Sequence, residues 1–123
     1  MRFPVLALIA ASGLAAPALA SGSVDCEAAD RSDIQIIGNY GGRSGGRLEA
    51  VTLRDGARTF STRGRPPQLR IVRHTETRRS IRLDLNGPNA GPITLRVSVN
   101  PDGASSGTLL YRGRTHAMEC EFG

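Results

Sequence analysis

Lysine is absent from this chain of 123 residues, and all sixteen basic residues are arginine. Lysine codons are poor in G and C and most arginine codons are rich in them, so coding bias accounts for the replacement along the whole length. Selection for planar, bidentate anion contacts would fall on a few positions instead. Tryptophan is also absent, and three Phe and two Tyr are the whole aromatic supply. A core so poor in rings needs a covalent staple. No CxxC occurs around either cysteine, which excludes a zinc site made by cysteines alone. No GxSxG nucleophile setting and no GK[ST] phosphate-loop ending occur either. Apolar runs fall short of the ~20 residues that a spanning helix needs.

The first twenty residues carry an address. Met1 and Arg2 give a positive start, and "FPVLALIAASGLAA" is an apolar stretch broken by Pro4, Ser12 and Gly13. "ALA" at 18–20 then places small residues where a signal peptidase cuts. This pattern predicts a secretory signal peptide over 1–20, cleaved after Ala20. No cysteine stands at the cleavage point, so no lipoprotein attachment is expected there. The remaining 21–123 is long enough for a single β domain and too short for two cores. Without Arg2 the formal charge falls from +5 to +4, a basic surface that leans towards anionic partners.

Cys26 and Cys120, one near each end, are the only cysteines. In an exported chain such a pair reads as a disulfide, and closing so long a loop is worth about 4 to 5 kcal/mol in the chain-entropy model. The expected location is therefore the bacterial periplasm or the medium outside the cell.

After Cys26 the pattern is one of alternation, not of helical period. "IRLDLN" sets Ile81, Leu83 and Leu85 against Arg82, Asp84 and Asn86, and "ITLRVSV" sets Ile93, Leu95, Val97 and Val99 against Thr94, Arg96 and Ser98. Period two over this length predicts half-buried antiparallel strands. Segments 33–38, 47–55, 57–62, 68–74, 80–86, 92–99, 107–112 and 115–122 give about eight strands. The fold class is all-β, a small antiparallel sandwich or barrel stapled by one disulfide. Turns are expected at "NGPNAGP", at "NPDG" and at Asp55-Gly56, the last pairing Val51 with Phe60. "YRGR" is tight enough to face Leu109 towards His116. "GNYGGRSGGR" over 38–47 reads as a glycine-rich linker, with Tyr40 its exposed aromatic, able to stack on a ligand.

Arg63-Gly64-Arg65-Pro66 resembles the core of an AT-hook, the arm that lays arginines in the minor groove of DNA. The resemblance covers four residues, and Phe60 to Thr62 before it and Pro67 and Gln68 after it depart from the pattern. A second Arg-Gly-Arg at 112–114 shows that composition alone generates the triplet, and the expected compartment holds no chromosomal DNA. The segment is read as a loop whose prolines stop strand pairing, and no nucleic-acid partner is expected.

Chemistry-bearing groups are sparse. His74 and Glu76 share a face of an extended segment, the spacing for a shared metal or proton, with His116 a third ligand that nothing in the sequence brings near. His116 falls on the face of Met118, Cys120 and Phe122, which predicts a core histidine with a hydrogen bond. No catalytic residues, metal or cofactor are expected. The candidate binding residues are Arg82, Arg96, Arg70, Arg79 and Tyr40, with Arg78 beside them. In the hairpin around "NGPNAGP" the admissible registers differ by two residues: one sets Arg82 opposite Arg96, the other Asp84 opposite Arg96. The second, an ordinary surface ion pair, is the expected pairing; the first would mark an anion site.

These readings point to an exported, non-catalytic binding or scaffolding protein. Its arginine face would meet an acidic protein, a lipid phosphate or an anionic glycan, with no membrane span after signal cleavage. The alternative is a small periplasmic hydrolase, or an inhibitor of one, using His74 and Glu76 or His116.

Overall fold

Strict alternation of apolar and polar residues, interrupted at short intervals by glycine, proline and asparagine, is realised as nine strands. The computed structural model describes residues 22–41, 47–102 and 104–123. They form β1 (Ser23–Ala28), β2 (Ile34–Tyr40), β3 (Leu48–Asp55), β4 (Arg58–Ser61), β5 (Arg70–Glu76), β6 (Ser80–Gly87), β7 (Gly91–Ser98), β8 (Ser105–Tyr111) and β9 (Arg114–Phe122). Every pairing is antiparallel, and the order β4-β3-β2-β1-β9-β8-β7-β6-β5 makes a single sheet curled into a half-barrel. The all-β, disulfide-stapled class expected from the sequence is therefore observed. The expected signal peptide lies outside the described residues, and among those described no helix is long and apolar enough to cross a membrane.

The strand beyond the expected eight is β1, "SVDCEA". Val24 and Cys26 point inward, while Asp25 and Glu27 point out. It pairs with both β2 and β9 at the middle of the sheet. The described residues thus form two consecutive meanders, β1 to β4 and β5 to β9, whose only strand-to-strand junction among those residues is β1 with β9. At that junction Cys26 stands opposite Cys120 and is bonded to it, 94 residues away in sequence. The disulfide accords with an extracellular or periplasmic location.

Curling the sheet brings inward-facing residues together. Leu53, Leu83, Leu95, Leu109, Tyr111 and Met118 are among those buried in one continuous core. Each end of the half-barrel carries a polar cross-link between the meanders: the Tyr40 hydroxyl donates to Glu76 at 2.8 Å, and the Tyr111 hydroxyl donates to Asp55 at 2.8 Å. The segment after β4 passes from one sheet edge to the other, and the N–H groups of Gln68 and Leu69 both donate to the Ser61 carbonyl at 3.0 Å. "RGRP" lies in this loop, as expected.

The β3–β4 hairpin departs from the expected register. Its turn residues are Gly56 and Ala57, so Asp55 pairs with Arg58, and Phe60 meets Leu53 instead of Val51. Gly56 takes the positive φ of 61° that the first position of this tight turn requires, which the preceding Asp55 avoids by staying in the strand. The shift is by two residues, so Phe60 still faces inward with Val51. The β8–β9 turn places Arg112 and Gly113 at φ 51° and 76°, and Leu109 faces His116 as expected.

Candidate anion-binding face

Since the apolar residues of β6 and β7 turn inward, Arg82, Asp84, Thr94 and Arg96 are carried to the outer face. Their register is the one that sets Arg82 opposite Arg96 and Asp84 opposite Thr94. The expected ion pair of Asp84 with Arg96 is therefore corrected. Pro88 supplies the reason: it has no N–H with which to extend β6, so the strand stops at Gly87, which pairs with Gly91.

Like charges directly opposite one another destabilise a sheet. Here Asp84 relieves half of the conflict. The Arg82 Nε donates to Asp84 Oδ2 at 3.2 Å, and the Thr94 hydroxyl donates to Asp84 Oδ1 at 2.9 Å. Arg96 is exposed and meets no side-chain partner among the described residues. Around the pair lies a shallow groove of about 470 Å³ whose lining includes Ser80, Ser98, Ser106 and Thr108, four hydroxyl groups beside two guanidinium groups. The groove can donate several charge-assisted and neutral hydrogen bonds to one oxyanion.

Arg70 reaches the same outer face opposite Asn86 on the edge strand β5. Arg79 is exposed in the β5–β6 turn, where its carbonyl accepts the Val99 N–H at 2.8 Å, and Arg78 is exposed beside it. Arg73 joins the face opposite Asp84, a placement the sequence did not reveal. Strict alternation from Arg70 would turn Arg73 inward. A bulge between Ile71 and Arg73 adds one residue, Val72, and reverses the facing. No local residue pattern announces that bulge.

Tyr40 is corrected on both counts. It ends β2 instead of lying in a linker, and it is buried, with its hydroxyl bound to Glu76. Burial first, and the Glu76 carboxylate second, push its hydroxyl well above the usual tyrosine range. It offers no exposed ring for stacking. His74 Nε2 lies 3.1 Å from the same Glu76 Oε1, so the two share a face as the spacing indicated. His116 stands apart: in the inward row His74, Leu83, Leu95, Leu109, His116, three leucines on three strands separate the imidazoles. His116 is a buried histidine, its Nδ1 2.8 Å from Asp30 Oδ2. The Ser32 hydroxyl foremost, and then His116, hold the Asp30 carboxyl far below the usual carboxylate range. No group of three or more His, Cys, Asp or Glu side chains among the described residues is placed to hold a metal ion.

Together the fold and the face define a disulfide-stapled, all-β half-barrel with arginines clustered on one wing of its outer surface. Comparison with known protein families, curated proteins and solved structures finds no match to this chain.

Proposed function

We propose that the chain is an exported, non-catalytic binding protein that offers the arginine wing of its sheet to an anionic partner. One observation carries the reading: Arg82 and Arg96 stand opposite each other, and the carboxylate beside them, Asp84, is engaged by Arg82 and Thr94, which leaves Arg96 without one. A bound oxyanion would neutralise Arg96 and remove the like-charge cost. The disulfide supports a site of action outside the reducing cytoplasm.

The test is recovery of partners from the host's envelope fraction on immobilised wild-type protein, on R82S/R96S and on R54S/R58S. The last variant removes the same charge from the opposite wing. Partners lost only with R82S/R96S support the reading. Equal loss from both variants reduces it to bulk charge, and no loss from either overturns it.

A further inference from the structure

The outer face carries a second unresolved like-charge arrangement. Glu27 of β1 stands opposite Glu119 of β9, and Asp25 stands opposite Glu121. Gln35 donates to Asp25 at 2.9 Å, whereas Glu27, Glu119 and Glu121 meet no side-chain donor among the described residues. One solvent face therefore holds an arginine pair on β6 and β7 and two carboxylate pairs on β9 and β1. Neither set is neutralised by the other, because β8 lies between them. The outer residues of β8 are Ser106 and Thr108, both small, followed by Leu110, an apolar side chain 46% exposed.

We propose that this face docks on a second copy of the chain. The two-fold axis lies in the interface and crosses β8 near Ser106 and Thr108, so that Arg82 and Arg96 of each copy meet Glu27 and Glu119 of the other. The inference rests on the arginine-face reading and specifies the anionic partner as the chain's own carboxylate stripe. A two-fold contact must be self-complementary, and a face with opposite charges on either side of a neutral strand satisfies that demand without a second kind of surface. Each contact relieves two intrachain repulsions at once: the arginine pair of one copy and the Glu27–Glu119 pair of the other. Short side chains over the axis let the faces approach, and Leu110 gains apolar cover. The charges are exposed, so the association is strong at low ionic strength and fades as salt screens it.

Sedimentation of the disulfide-bonded protein at low and high salt tests this, with R82E/R96E, E27R/E119R and their equimolar mixture run beside the wild type. Circular dichroism and intact mass establish that each variant is folded and oxidised. The expected result is a salt-sensitive wild-type dimer, two monomeric variants and a mixture that regains the dimer. A dimer that survives in either variant, or a mixture that stays monomeric, overturns the proposal. A wild type that is monomeric at every salt concentration also overturns it. If sulfate still binds at Arg82 and Arg96 in that monomer, the arginine-face reading survives; if it does not, both fall.

Discussion

Arg82 faces Arg96 directly across β6 and β7, and the nearest carboxylate, Asp84, sits two residues from Arg82 on its own strand. The arrangement makes Asp84 an internal substitute for a bound anion. D84N should therefore lower stability while strengthening anion binding. The Arg82–Asp84 pair is partly exposed, so the stability loss is small, about 0.5 to 1 kcal/mol. Urea denaturation with and without sulfate checks this: sulfate should restore the variant more than it stabilises the wild type, since a ligand of the native state adds to its stability. Equal effects of sulfate on both proteins would contradict the assignment.

The disulfide joins the two meanders at the β1–β9 junction, so its removal should be felt by the whole sheet. C26A/C120A should lose about 2 to 5 kcal/mol in urea denaturation, as expected for a native disulfide in a small domain. Melting of the sheet in two separate steps would show that the meanders are stable apart and would contradict the single-sheet account.

Both tyrosine hydroxyls, Tyr40 and Tyr111, are pushed upward by burial and donate to carboxylates across the half-barrel. A folded-state value above that of the unfolded chain favours the protonated form in the native state. The stability contributed is thus full below the unfolded value of about 10 and is lost as pH rises through the folded values. Tyrosinate absorbance should rise together with unfolding, not before it. Y40F should cost about 1 kcal/mol and flatten the alkaline decline. Early tyrosinate formation in the folded protein would refute the cross-links.

Gly107 has no room for a side chain, because a Cβ there would stand 2.2 Å from the Arg96 carbonyl oxygen. G107A should force β8 away from β7 at Arg96. The expected loss is about 1 to 3 kcal/mol, with weaker sulfate binding than the stability loss alone explains. Wild-type binding in a folded G107A protein would show that the β7–β8 spacing does not shape the groove.

Much of the sheet was legible because alternation in "IRLDLN" and "ITLRVSV" assigns a face to each residue whatever the strand order. Two misreadings originate in distance along the chain and two in local backbone geometry. Tyr40 looked exposed among glycines because its partner Glu76 lies 36 residues away. Strand β1 was hidden because "SVDCEA" buries little by itself and is held by β9, from the far end of the chain. The Arg82 register turned on Pro88, one residue whose missing N–H decides where a strand stops. Arg73 reached the face through a bulge, which shifts every facing after it without a compositional mark.

Sulfate titration, followed through the arginine Nε–H resonances of the nitrogen-15-labelled protein, shows whether Arg82 and Arg96 form an anion seat. Saturable shifts are expected at Arg82 and Arg96, lost at high chloride, with Arg54 and Arg58 drifting only in proportion to ionic strength. Parallel, non-saturating drift of all arginines would mean that the face is merely basic, and would contradict the claim.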